Sequence, residues 1–137
     1  MPPVSQTAWR TKLFRRCAPA LTDRYIYSLM ARAIVRGADQ EWLREVYGFA
    51  LRPDAIFYLR VQIDDLVTRV LQSTGFDYWE SGMDMHMGED MYESFVRYQK
   101  WLLAEFDKMV ETHGVEIIDA SGSVEEVFEN CAIASIG

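Results

Sequence analysis

The sequence predicts an α/β domain, mostly helical, with a small parallel sheet. Three observations carry this expectation. Apolar residues recur at i, i+3, i+4 spacing in several stretches, most clearly over 26–34 and 91–109. Two short apolar runs, at 55–61 and 115–118, read as strands. The pieces follow the order helix–helix–strand–helix–loop–helix–strand–helix, and helical crossovers between strands make a sheet parallel.

The first helix is expected over 22–37, T-D-R-Y-I-Y-S-L-M-A-R-A-I-V-R-G, with Ile26, Leu29, Met30, Ala33 and Ile34 on its inner face. Asp23 sits where an acid helps a helix start, and Gly37 where glycine commonly ends one. Arg24, in the first turn beside exposed backbone N–H groups, suits an anion. The plainer alternative is a capping Asp23 followed by a solvated arginine. Asp39 is the expected cap of a second helix, with Trp42, Leu43, Val46, Tyr47 and Ala50 inward, and Arg52-Pro53 stops it.

The run at 55–61, A-I-F-Y-L-R-V, is interrupted only by Arg60 and reads as a strand covered on both faces. A short helix over 63–71 turns Leu66, Val67 and Val70 inward and ends at Ser73-Thr74-Gly75. Residues 72–88 form a loop containing Gly75, Gly82 and Gly88, and a loop that long is usually functional or disordered. A long helix from about 89 to 112 carries Met91, Phe95, Tyr98, Leu102, Phe106 and Met109 on one stripe, ended by His113-Gly114. After the second strand, Ser123 caps a last helix through Val127 and Phe128.

At 137 residues and 50% hydrophobic, the chain is one small domain or part of a larger one. Its net charge of −7 is uneven, because residues 1–20 hold Arg10, Lys12, Arg15 and Arg16 and no acid. An acidic body argues against nucleic-acid backbones and anionic membranes as partners. Cys17 and Cys131 match no metal spacing or redox pair and read as reduced thiols of a cytoplasmic protein. No run of 18 apolar residues marks a transmembrane helix. Residues 1–21 are expected to be irregular. Their composition also matches an organelle transit peptide, or a short amphipathic helix around Trp9, Leu13 and Phe14. Pro19 has no donor for a central ladder, so no strand is expected to lead into Asp23.

The series D-R-Y-x-x-S-x-x-A from Asp23, R-G-A-D-Q-x-x-L from Arg36 and R-P-D-A-I-F-Y-L-R-V from Arg52 continues through Phe95, Arg97 and Ile118-Asp119-Ala120. In this order and spacing it resembles the thymidylate kinase family over roughly residues 22–128. Each piece alone is weak, and the ordered series is specific. The resemblance implies a partial P-loop NTPase fold of the nucleoside monophosphate kinase type. Residues 22–137 would be its C-terminal portion, with the loop at about 72–88 as a lid over the phosphates. The reaction it implies is transfer of the ATP γ-phosphate to dTMP, giving dTDP, with Mg²⁺ accompanying ATP.

On that resemblance Arg24 holds the phosphate of the acceptor nucleotide, and Asp23 lies beside it near the reacting groups. Ser28, Arg32, Arg36 and Arg97 complete the acceptor side. Ala120 and Ser121 belong to the loop near the adenine ring. No residue is assigned to a metal. The chain also departs from the family. Leu29 and Arg32 stand where polar and aromatic residues usually read the thymine and sugar, so the acceptor is dTMP or a related monophosphate. Gln99 stands where a second arginine is common. Residues 70–96 hold no lysine or arginine, and the lid carries Asp77, Glu80, Asp84 and His86, with Glu89, Asp90 and Glu93 beyond.

Acids facing a triphosphate repel it unless a metal intervenes. The plainer alternative is a solvated acidic loop whose Trp79, Met83, Met85 and Met87 pack onto the domain. Arg97 has a plain alternative as the i, i+4 partner of Glu93, and Asp119-Ala-Ser-Gly as an ordinary strand-to-helix turn.

The sequence contains no G-x-x-x-x-G-K-[ST], and none of Lys12, Lys100 and Lys108 follows a glycine. The family's first strand, phosphate loop and first helices are therefore expected to be missing, and the chain alone is not expected to be a competent kinase. In the family's strand order, 2-3-1-4-5, this leaves the strand at 55–61 with an open apolar edge. Such an edge invites a homodimer or higher assembly, or cover by the N-terminal segment. Three functions follow: a thymidylate kinase-like enzyme represented by its C-terminal portion, a non-catalytic interaction or oligomerisation unit, and one half of a kinase complemented by a separate P-loop chain.

Overall fold

Helix α1 (Tyr25–Val35) lies against the long helix α4 (Met91–His113), and the core sits in the seam between them. The computed structural model describes residues 20–136; the expectations for Trp9, Leu13, Phe14, Cys17 and Pro19 lie outside them. Between and beyond these two helices come α2 (Gln40–Val46), β1 (Phe57–Arg60), α3 (Ile63–Gln72), a 3₁₀ turn (Met83–Met85), β2 (Glu116–Asp119) and α5 (Val124–Ile136). The two strands pair in parallel, Phe57 opposite Glu116 through Arg60 opposite Asp119. The ladder is extended by Glu116 N–H to the Ile56 carbonyl and Ala120 N–H to the Arg60 carbonyl, each 2.9 Å. The result is mostly helical with a small parallel sheet, compatible with part of a nucleotide kinase fold.

The seam is filled from both helices by residues at helical spacing. Met30, Ala31 and Val35 of α1 meet Tyr98, Leu102 and Met109 of α4, with Leu43 of α2 closing one end. Each large apolar side chain so buried contributes on the order of 1.5–3 kcal/mol. The helix ends follow their capping residues. The Asp39 carboxylate accepts from Trp42 N–H (2.8 Å) and Asp90 from Glu93 N–H (2.7 Å). Ser123 and Glu126 form a reciprocal capping box: Glu126 N–H donates to the serine hydroxyl and Ser123 N–H to the glutamate. Gly37, at φ 91°, follows α1 in a conformation that few other residues adopt without cost.

Several expectations are corrected. The cap of α1 is Arg24, not Asp23, and its side chain makes no capping bond. Leu29 is 52% exposed, whereas Ala31 and Val35 are buried, because α1 packs on one long partner along a stripe turned slightly from the expected one. In α2 only Leu43 is buried; Trp42 and Val46 face outward, since a seven-residue helix presents little more than one side chain to the core. Strand β1 is not covered on both faces: Leu59 is half exposed, as is Ile117 on β2. Helix α5 continues past Phe128 to Ile136.

The segment after α3 packs down as the plainer expectation had it, residues 76–90 folding as a strap across α4. Phe76 packs on Phe95 with ring centroids 4.9 Å apart. Ser81 and Gly82 are buried, and Met85 and Met87 lie against the main core. Trp79, expected to pack down, is 63% exposed.

Candidate functional site

The head of α1 has an unusual backbone. Tyr25 N–H donates to the Asp23 carbonyl at 2.7 Å, with Arg24 between them at φ 62°, ψ −43°. This is a γ-turn of the rarer, strained hand. Tyr25 follows at φ 46°, so two consecutive non-glycine residues occupy the left-handed region. Each costs on the order of 1–2 kcal/mol. The Tyr25 hydroxyl, donating to the Leu51 carbonyl at 2.9 Å, pins the turn to the chain entering β1. Asp23 and Arg24 are exposed at this corner, and neither side chain has a hydrogen-bond or ion-pair partner among the described residues.

From that corner Arg24, Ser28, Arg32 and Arg36 recur every four residues, which places them in a stripe along α1. Arg24 and Arg36 stand at opposite ends of it, roughly 18 Å apart along the axis at 1.5 Å per residue. One phosphate cannot touch both. The structure brings the lower half of the stripe together with the strap instead. Arg36 donates through Nε to Asp84 Oδ2 (2.9 Å) and through Nη2 to Asp84 Oδ1 (3.3 Å). Its Nη1 donates to the Tyr98 hydroxyl (2.6 Å) and the Arg32 carbonyl (3.4 Å), and its Nη2 also reaches the Trp79 carbonyl (3.3 Å). The guanidinium also lies 5.0 Å from the Tyr98 ring centroid. Arg32 faces Glu80 at 3.9 Å.

Two of the three lid acids are therefore ion-paired rather than merely solvated. The Arg36 hydrogen bond holds the Asp84 carboxyl below its ordinary range, and the charges of Arg36 and His86 add to it against partial burial. The same bond to Asp84 raises the Arg36 guanidinium further. Asp77 has a local role, accepting from Trp79 N–H (3.0 Å) and Glu80 N–H (3.3 Å) to shape the strap's first turn. Three side chains of α4 clip the strap's backbone. Ser94 donates to the Ser81 carbonyl (2.6 Å), Gln99 to that of Glu80 (2.9 Å) and Arg97 to that of Met87 (2.7 Å). Arg97 also pairs with Glu93 one turn back, at 2.6 Å. It lies among strap anchors rather than beside Arg24.

At the far end, Ala120 is buried and Ser121 exposed. Ser121 donates through both backbone N–H (2.9 Å) and hydroxyl (2.6 Å) to Asp119 Oδ1, which holds that carboxyl below its usual range. An open groove of about 350 Å³ begins here and runs along Glu126, Glu129 and Asn130. Its rim is acidic. Arg69 on α3 was not singled out from the sequence, yet its Nη2 donates to the carbonyls of Ala120 (2.7 Å) and Gly122 (3.3 Å) and fixes this loop. The polar role of Tyr98 was missed as well. Its place on the apolar stripe of α4 predicts burial, and only the habit of buried tyrosines to find a polar partner signals the rest.

No group of three His, Cys, Asp or Glu side chains that could hold a metal converges among the described residues. No helix among them is long and apolar enough to cross a membrane.

A small parallel sheet flanked by helices, with an arginine stripe leading from a strained Asp-Arg-Tyr corner, is compatible with part of a nucleotide kinase fold. No protein-family model matches the chain. Curated relatives do. Probable thymidylate kinase 2 of Saccharolobus solfataricus is 31% identical over 110 residues, covering 78% of this chain and 51% of that protein. The probable thymidylate kinase of Sulfurisphaera tokodaii is 24% identical over 109 residues, covering 80% of this chain and 50% of its own. That of Pyrococcus abyssi is 29% identical over 110 residues, covering 80% and 48%. Over this matched part the chain belongs to the thymidylate kinase family. It spans about half the length of the curated relatives it matches.

Proposed function

We propose that this chain carries the acceptor side of a thymidylate kinase-type phosphotransferase, with Arg24 holding the phosphate of dTMP or a related monophosphate. One observation carries the reading: Arg24 stands at the head of α1 on a strained turn, its guanidinium without a partner among the described residues. Strain of this kind persists only where the surrounding structure enforces it. The free backbone N–H groups of the first turn add to the attraction for an anion, and Ser28 lies one turn along the same stripe. Asp23 sits beside the phosphate near the reacting groups. In the complete reaction the ATP γ-phosphate passes to the acceptor, giving dTDP, and Mg²⁺ bound with ATP neutralises charge on the transferring group. The loop at Ala120 and Ser121 would border the adenine ring. Since the sequence has no G-x-x-x-x-G-K-[ST], the donor phosphates would be held by groups it does not contain, and the chain alone would not turn over.

The test is a thermal melt with and without dTMP, ATP·Mg²⁺ and both. A ligand at 100 times its Kd adds about 2.7 kcal/mol, several degrees for a domain of this size. A shift with dTMP that Arg24→Ala abolishes is the expected result. No shift with dTMP, alone or together with ATP·Mg²⁺, removes the acceptor reading.

A second reading, as an interaction or oligomerisation unit, is favoured by uncovered apolar surface. Val124, Phe128, Ile133 and Ile136 of α5 are 70–86% exposed, and β1 has only β2 beside it among the described residues. Pairing of the free β1 edge with a second copy would cover part of that surface. Light scattering at micromolar concentration should then show a dimer or larger species. A clean monomer counts against it.

A further inference from the structure

We propose that the strap regulates the stripe as an internal anion. Asp84, with Glu80 beside it, occupies the Arg32–Arg36 end, and a phosphorylated ligand reaches these arginines only by displacing it. The inference rests on the reading above, in which the stripe receives phosphates, and concerns the end of the stripe opposite Arg24.

Charge and spacing match across the seam. Arg32 and Arg36 are four residues apart, and so are Glu80 and Asp84. A guanidinium has five N–H donors, and the five contacts of Arg36 use all of them: two to Asp84, one each to Tyr98, Arg32 and Trp79. Nothing is left for a phosphate while the strap is seated. The strap carries no cation of its own apart from what His86 can provide, so it cannot assist a triphosphate, yet it is drawn to α1.

A phosphate can compete because it offers the same fork more negative charge than a carboxylate does. It must overcome a carboxylate tethered at an effective concentration on the order of millimolar. Once bound along the stripe, it repels Glu80 and Asp84, which favours release of the strap. Linkage makes the effect mutual: a seated strap weakens anion binding by the factor by which a bound anion weakens seating of the strap, so removal of the Asp84 charge tightens anion binding. Release breaks the single hydrogen bonds from Ser94, Gln99 and Arg97 to the strap's backbone and lifts Met85 and Met87 from the core, but it breaks none of the backbone bonds within α4. On its α3 side the strap begins at Gly75, at φ 80° with open space around its Cα, a position suited to a hinge.

The experiment is hydrogen exchange by mass spectrometry on the full chain, following peptides across 77–88, combined with calorimetric titration of inorganic pyrophosphate and of dTMP. Wild type, Asp84→Asn and Glu80→Gln are compared, with α4 peptides as the check on folding. Expected are about tenfold faster exchange in the strap of Asp84→Asn, with α4 unchanged, and about tenfold tighter pyrophosphate binding. Glu80→Gln should move both in the same direction by less. In wild type, millimolar pyrophosphate should speed strap exchange. The proposal is overturned if Asp84→Asn leaves strap exchange as it is, or if pyrophosphate fails to bind or binds without loosening the strap. Should Asp84→Asn also loosen α4, Glu80→Gln decides by the same criteria. If pyrophosphate releases the strap and dTMP does not, the latch stands and dTMP is not the ligand of its end of the stripe, while the dTMP melt with Arg24→Ala decides the acceptor reading separately.

Discussion

Arg36 and Asp84, 48 residues apart in sequence, are joined by a two-pronged hydrogen-bonded ion pair of 2.9 and 3.3 Å. This pair ties the C-terminal end of α1 to the strap, and Tyr98 beneath it ties both to α4. Helix, strap and long helix thus meet at one guanidinium. Its side chain and that of Asp84 are 30% and 22% exposed, so solvent and salt still reach the pair.

Acid should weaken this junction in a defined window. The Asp84 carboxyl is held below its ordinary value of 3.8, first by the Arg36 hydrogen bond. A carboxyl depressed in the folded state contributes stability that is complete above the unfolded value and is lost as pH falls through the folded one. The stability difference between wild type and Asp84→Asn, from urea melts, should be constant from about pH 7 to 5 and shrink below about pH 4. A difference that stays flat to about pH 3 would mean that the pair adds nothing.

Gly82→Ala should be among the most damaging single changes. Gly82 has φ 63°, and a Cβ there would lie 2.8 Å from Cβ, Cγ and Cδ2 of Tyr98. Those ring atoms are fixed in the core, since Tyr98 is 1% exposed and bonded to Arg36. The left-handed backbone costs an alanine about 1 kcal/mol and the overlap about 1–3 more, so a loss of roughly 2–4 kcal/mol is expected in urea denaturation. A loss under about 0.5 kcal/mol would show that the strap is not seated on α4 as described.

Much of this was legible in the sequence because it is local. The i, i+3, i+4 stripe of α4 named Phe95, Tyr98, Leu102 and Met109 correctly, and Asp39, Ser123 and Gly37 marked helix ends through their own chemistry. The Arg97–Glu93 pair also follows from spacing alone. What was not legible depends on long-range partners. Nothing local says that Asp84 meets Arg36, because their pairing is set by where the strap crosses α4. The γ-turn at Arg24 was hidden for a related reason. Propensity favours Asp23 as a cap, and the tie from Tyr25 to Leu51 shifts the helix start. The exposure of Leu59 could not be read from an apolar run, which reports what a strand could bury and not what lies beside it.

Tyr58→Phe should be neutral or slightly stabilising. The phenol oxygen is enclosed and makes no hydrogen bond of good geometry, the Arg60 guanidinium beside it being committed to Asp107, and its ring packs on Phe106 at 5.3 Å between centroids. Burial pushes the phenol up to about 12, with the charge of Asp107 adding and Arg60 opposing. Phenylalanine keeps the ring contact and removes a desolvated hydroxyl, whose burial costs about 1–3 kcal/mol when unpaired. A melt of the variant within about 1 kcal/mol of wild type, or above it, is expected. A larger loss would reveal a partner for the hydroxyl.

His113, the last residue of α4, gives the opposite kind of handle, a neutral ring that resists its proton. Its ring lies against Tyr27 at 5.1 Å between centroids. Burial lowers its pKa below the ordinary 6.5, and the charges of Arg44 and Arg52 lower it further. As pH falls below 6.5 the unfolded chain takes a proton that the folded ring refuses, so stability declines with acid across that window and is flat above it. His113→Gln cannot titrate. Between about pH 7 and 5.5 its stability should therefore fall less than that of wild type, as read from urea melts at each pH. If the two fall in parallel, the folded ring takes its proton as readily as the unfolded one. In that case the packing of α1 on the end of α4 does not depend on the charge of His113.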